Sequence, residues 1–405
     1  SAGVGSMYAY TSRGLGLTAG GIAGWSLIWA YLGIAMAGVT GFSIFAGKLS
    51  EMAGFTLSPL VWFAVCVGAS WYCAWKNVQL SAALMLVLEA LSMLLIIGLC
   101  VVVLSQHHFT IDTAQFDLHG TPLSSMGLGV VVAIFSLVGF ECATAFGTEA
   151  KNPLKSIPRA VIWSLIVSGV FFVFVTYAMV YGTRGYSTTL DKIDAPLNVL
   201  AAIAHVKFLQ VPLSFAAMFT FFSLCLSCIN AGGRVIFAMG SHGLFHKAIA
   251  GAHAKNETPH VAVSVMAVIA LVIPGVLYAL HTAPLDIFSY VGTLAAFGFL
   301  VPYFLITIAA PVYLKRLGQL RRRDVGYCIA ALVLLLIPAV GSVYPVPPAP
   351  VNYFPYLFLV YLAVGALLIL SFHRRAPGAR TRIQQELDQI HARYQLPLSD
   401  VINEG

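Results

Sequence analysis

The sequence predicts an all-α polytopic membrane protein, and three observations carry that prediction. Hydrophobic residues make up 59% of the 405 positions and charged residues 9%, against roughly 45–50% and about 25% in a soluble domain. The apolar residues gather in ten long continuous runs, each near the ~20 residues that cross a bilayer core. The segments between the runs alternate in charge. A soluble globule could not cover this much apolar surface with a polar shell, and a disordered chain would be polar and charged. Barrel strands are excluded by length, since a strand needs only ~10 alternating residues.

The runs cover about 19–46, 58–75, 78–104, 126–148, 159–182, 208–239, 261–281, 285–314, 325–344 and 352–372. The first two hold no Asp, Glu, Lys or Arg. The third and fourth each enclose a single acid, Glu89 and Glu141. The sixth contains Cys225 and Cys228, a CxxC with no second pair to complete a metal site. These two read as small apolar side chains on one helix face. The other cysteines, Cys66, Cys73, Cys100, Cys142 and Cys328, also lie in or beside apolar runs, so no disulfide framework is expected. After residue 376 the chain turns polar, and Ile383, Leu387, Ile390 and Tyr394 recur at helical spacing. That pattern predicts a short amphipathic surface helix.

Charge fixes the expected orientation. Eighteen of the 22 Lys and Arg fall in one set of loops and the tail, from Arg13, Lys76 and Lys155 to Arg321, Arg322 and Arg323. The other set holds only Lys48, Arg184, Lys192 and Lys207. The positive-inside rule places the first set and both termini in the cytoplasm, which ten spans allow. The net charge of +7 is thereby read as membrane orientation, and no nucleic-acid partner is expected. The expected organisation is a cytoplasmic segment over 1–18, a transmembrane domain over 19–372 and a cytoplasmic tail over 373–405. The chain opens on Ser1 without a signal sequence, and reads as a fragment.

Chemistry is sought among buried ionisable groups, which are costly in a membrane and mark function. Glu89 lies 13 residues from Lys76, so ~20 Å along a helix, near mid-membrane. Glu141 lies nine residues before Ala150, about 13 Å from that end. The alternative for each is hydrogen bonding to a neighbouring helix for packing alone. In the fourth run, Ile134-Phe135-Ser136-Leu137-Val138-Gly139-Phe140-Glu141 combines a helix-weakening glycine with a serine able to satisfy freed backbone groups. A break there would set free carbonyls, suited to a cation, against free N–H groups, suited to an anion. No HExxH, paired aspartates or phosphate-binding loop is present. No metal site, cofactor or covalent chemistry is expected.

The segment from Phe135 to Glu141, followed by Glu149-Ala150-Lys151-Asn152-Pro153 and Ile157-Pro158-Arg159-Ala160, resembles the sixth-helix signature of the amino acid–polyamine–organocation permeases. Gly5-Ser6-Met7-Tyr8-Ala9-Tyr10 with Gly24-Trp25 is similar to the stretch leading into that family's third helix. Ile229-Asn230-Ala231-Gly232-Gly233-Arg234 resembles its eighth, and Gly292-Thr293-Leu294-Ala295-Ala296-Phe297 its tenth. The resemblance implies the LeuT-like inverted-repeat transporter fold. On that register the ten runs are helices three to twelve, and the chain begins after the second.

The resemblance further implies a secondary active transporter in the cell membrane that moves an amino acid by alternating access, coupled to protons or to exchange. The substrate-binding residues it implies are Phe135, Ser136, Val138, Gly139 and Phe140, with Phe135 as the gating aromatic. Glu141 and Glu89 are the proton-coupling candidates. Some proton-coupled relatives carry a lysine in the fifth helix; here that helix has no lysine and holds Glu89. Sodium-coupled relatives use adjacent hydroxyls on the eighth, whereas Ser223 and Ser227 stand four apart, which favours protons over sodium. Competing readings are a polyamine or organocation exchanger, a membrane-embedded enzyme and a non-transporting sensor.

Overall fold

The computed structural model describes residues 6–76, 80–117, 119–120, 129, 133, 136–146, 152–245, 249, 251, 258–344 and 346–375. Within them the long helices follow the apolar runs. Helix α1 (Ser6–Leu15) leads into α2 (Leu17–Met52), and α3 (Pro59–Lys76) and α4 (Leu80–Gln106) follow. A 3₁₀ turn over Phe140–Phe146 precedes α5 (Pro153–Gly182) and the short α6 (Pro196–Ile203). Then come α7 (Gln210–Ser241), α8 (His260–Ala279), α9 (Pro284–Arg316), α10 (Arg322–Gly341) and α11 (Phe354–Arg375). Among the described residues eight helices are long and apolar enough to cross a membrane. The run at 58–75 is a helix outside that set, and most of the run at 126–148 and the tail after 375 lie outside the described residues.

The helix starts obey local chemistry. Proline, with φ preset for a helix and no N–H to waste, occupies the first turn of α5, α6 and α9. At α10 the Asp324 carboxylate accepts the Arg321 backbone N–H at 3.0 Å and sits at the positive end of the helix.

Helix α2 is the axis of the molecule. Its 36 residues extend ~54 Å, beyond the ~30 Å hydrocarbon core. Small side chains line its contacts, so backbones nearly touch. A Cβ on Gly38 would lie 2.9 Å from the Cys225 nitrogen of α7, and one on Gly298 of α9 would lie 2.7 Å from the Ala30 nitrogen. Where water supplies no driving force between helices, dispersion at such close range holds the bundle. Ser26 Oγ adds a hydrogen bond to the Gly298 carbonyl at 2.9 Å. Tyr8, Tyr31, Phe63, Phe299 and Met266 fill the centre of the core.

Two short helices escaped the hydropathy reading. Helix α1 packs on α2 and α9, with the Arg13 guanidinium over the Tyr313 ring and Arg316 donating to the Arg13 carbonyl at 2.8 Å. Helix α6 is tied to α4 by Gln106, which donates to the Ala204 carbonyl at 2.7 Å.

Helix α11 docks on α2 through aromatic rings. Trp25 stacks on Tyr361 at 4.8 Å; its indole N–H donates to the Tyr361 carbonyl, and the Tyr361 hydroxyl donates to the Trp25 carbonyl. Gly365 faces the Trp25 ring with no room for a Cβ. Gly365→Leu is expected to destabilise the protein by about 1–3 kcal/mol, the usual cost of overpacking. Thermal unfolding in detergent, followed by tryptophan fluorescence, measures this; an unchanged midpoint would remove this docking from the description.

Candidate functional site

The fourth run does not continue as an α-helix. Residue 136 is helical, residues 137–139 form a turn, and the chain resumes as the 3₁₀ segment Phe140–Phe146. Gly139 has φ +101°, a region that L side chains rarely occupy and glycine enters freely. A Cβ at Gly139 would meet nothing within 4 Å. Backbone conformation, and no crowding, is therefore what requires glycine there.

Directly after the turn comes Glu141, only 2% exposed. Its Oε2 accepts the Gly139 N–H at 3.0 Å and the Tyr303 hydroxyl of α9 at 2.6 Å. The other oxygen, Oε1, is buried with no hydrogen-bond partner among the described residues. A buried carboxyl oxygen without a donor is costly and needs a reason. The Tyr303 ring is held between two others: Phe140 at 5.7 Å and Phe299 at 6.0 Å, both nearly parallel to it. Phe299 in turn meets Tyr31 of α2 edge-on at 5.7 Å. Cys142 packs against the core cluster that contains Cys228 of α7. The broken segment is thus held against α1, α7 and α9, with one carboxylate at the junction.

Of the residues singled out from sequence, the structure brings Val138, Gly139, Phe140 and Glu141 together at this junction. Ser136 is exposed one residue before the turn. Phe135 lies outside the described residues. Glu89 stands elsewhere: its Oε2 accepts the Thr220 hydroxyl of α7 at 3.0 Å, and it shares no hydrogen-bond partner with Glu141.

Tyr303 and Thr220 were not legible in the sequence as partners. The signals that could have raised them are weak: a buried tyrosine or threonine hydroxyl in an apolar helix needs an acceptor, and few acids lie nearby. Thr220→Val leaves Glu89 without that donor and should cost about 1 kcal/mol, read as a lower thermal midpoint; Glu89→Gln, which keeps an acceptor for Thr220, should cost less. An equal loss in both would assign Glu89 a role beyond this bond.

A polytopic bundle of small-residue contacts, with one helix interrupted at a buried carboxylate, defines a transporter of the multi-pass membrane class. The amino acid permease family matches residues 2–346, and the chain belongs to that family, whose fold is LeuT-like. It is 26% identical over 345 residues to the branched-chain amino acid permease BcaP of Bacillus subtilis (strain 168), covering 78% of this chain and 69% of that protein. It is 25% identical over 306 residues to the low-affinity putrescine importer PlaP of Escherichia coli (strain K12), covering 73% and 65%. Over 231 residues it is 26% identical to the cationic amino acid transporter 4 of Mus musculus, covering 56% and 34%. These relatives are transporters and not enzymes.

Proposed function

We propose that the protein carries an amino acid across the cell membrane by alternating access, coupled to protons, with the substrate held at the interruption of the fourth run. The observation that carries this reading is the Glu141 carboxylate, buried at the turn with Oε2 doubly hydrogen-bonded and Oε1 bare. A carboxyl in such surroundings can take up a proton at the bare oxygen without breaking an existing bond. A shift of the turn against α9 would change both its donors and its access to water, which is the coupling an alternating-access carrier needs.

At the turn, Ser136, Val138, Gly139 and Phe140 form the proposed substrate contact, with Phe135 closing over it. Carbonyls that lose their helical partners above the break can receive an ammonium group, and N–H groups below it a carboxylate. A zwitterion matches that pair. A diamine would call for a second carboxylate at the turn, and Glu89, bonded to Thr220 of α7, is not among the residues gathered there. The polyamine reading rests on the family resemblance and on the similarity to the putrescine importer.

The proposed orientation sets both ends of the chain in the cytoplasm, on the distribution of Lys and Arg. Segments 1–18 and 373–405 flank a transmembrane domain over 19–372 on this reading. Uptake into proteoliposomes, with a panel of labelled amino acids and putrescine under imposed proton or sodium gradients, tests the function. Accumulation of an amino acid under the proton gradient supports it; accumulation of putrescine alone, or a strict sodium requirement, overturns it.

A further inference from the structure

Beyond the candidate site, one polar cluster gathers around a buried carboxylate, Asp112. It joins the segment after α4 to the last turns of α5. Asp112 is 5% exposed, and its Oδ2 pairs with the Arg184 guanidinium and accepts Gln115 Nε2 at 3.0 Å. The Asp112 backbone N–H donates to the Tyr177 hydroxyl at 2.8 Å. Thr110 Oγ1 and the Tyr181 hydroxyl are 2.8 Å apart, and His107 stacks on the Tyr181 ring at 4.2 Å. Tyr177 and Tyr181, four residues apart, share one face of the end of α5, and Arg184 stands in the turn just after it. Every one of these contacts points at the single segment 107–115.

The two partners belong to different parts of the bundle. The end of α4 is fixed to α6 by the Gln106 bond, and its Leu99 and Val103 share a buried cluster with Leu200 of α6 and Leu213 of α7. Helix α5 is the next helix after the 3₁₀ segment of the candidate site, and the polar cluster lies at its opposite end. Apart from the polar cluster, the two ends meet through apolar contacts, with Gly182 pressed onto Val103 and Leu200. Such a contact has no directional bond to hold it, so the Asp112–Arg184 pair, together with the hydrogen bonds to Tyr177 and Tyr181, is what fixes the distance.

We propose that Asp112 and Arg184 form a latch, on the side of the membrane assigned above to the exterior, that holds the end of α5 against α4 and opens when the carrier exposes its site to that side. This rests on the alternating-access reading of the preceding section. Opening separates a buried carboxylate from its charge partner, which weights the resting population toward the closed arrangement. Val103, 3% exposed and covered by Gly182, becomes accessible only when the latch parts.

The test uses the full chain with its seven native cysteines replaced and Val103→Cys as reporter, in intact cells, with a membrane-impermeant thiol reagent. Arg184→Gln and Asp112→Asn should each raise the labelling rate roughly tenfold, because each leaves one charge of a partly buried pair without its partner. Arg184→Lys, which keeps the pairing, should stay near the parent rate. A second measurement covers a variant that fails to fold: Asp112→Cys with Arg184→Cys, joined by a reducible bifunctional thiol reagent, should lose uptake and regain it on reduction. Unchanged labelling in the well-folded neutral variants, or full uptake by the cross-linked protein, overturns the latch. Labelling needs no substrate. A protein that moves no amino acid but labels faster in the neutral variants would refute the transport reading and keep the latch.

Discussion

Gly139→Ala should lower uptake roughly tenfold or more while leaving expression and membrane insertion unchanged. The space beside Gly139 is open, so the methyl group meets no neighbour. The effect arises from φ +101°, which costs an L residue ~1–2 kcal/mol, about tenfold in population. The chain would relieve that cost by straightening the interruption, and on the proposed reading the substrate contact at the turn would be lost. Binding measured by scintillation proximity should weaken in step with uptake. An alanine variant with parental affinity and rate would show that the substrate does not depend on this turn, and would move the site elsewhere in the bundle.

Glu141→Gln should abolish proton-driven accumulation and keep exchange. The amide oxygen can accept the Gly139 and Tyr303 donors that Oε2 receives now, so the turn stays clamped, but the residue can no longer cycle a proton. One pH unit is worth 1.36 kcal/mol per proton, about a tenfold accumulation ratio at zero membrane potential. With glutamine the ratio should fall to one, while preloaded vesicles still exchange labelled for unlabelled substrate. If the glutamine variant accumulates substrate like the parent, the proton passes through another group, and the same experiment on Glu89→Gln decides whether it is that one.

The division between what the sequence disclosed and what it withheld has a physical basis. Long apolar runs announce themselves because the bilayer demands length and hydrophobicity together, and the long helices of the bundle fall where those runs lie. The short α1 and α6 carry no such demand: ten and eight residues do not cross a membrane, and tertiary packing decides their conformation. Glu141 could be singled out because a lone acid in an apolar run is costly wherever it sits. Tyr303 could not, because its bond to Glu141 spans 162 positions, and nothing local to Tyr303 encodes so distant a partner. Gly139 lay between these cases. Its presence weakened the helix on paper, and its positive φ is visible only in the folded chain.

The glycine- and alanine-faced seams around α2 carry a consequence for how the chain can vary. Where backbones approach within 3 Å of a Cβ that does not exist, as at Gly38 and Gly298, every larger residue is a collision, and the position is closed to almost all substitutions whatever their polarity. Helix α10 is the opposite case: Tyr327, Ile329, Val333 and Leu334 are more than half exposed on its surface, and any residue that tolerates lipid will serve. A saturation library read out by surface expression should therefore show two populations. One is sensitive to side-chain volume and indifferent to hydrophobicity, along the α2 seams with α7 and α9. The other is sensitive to hydrophobicity and indifferent to volume, along α10.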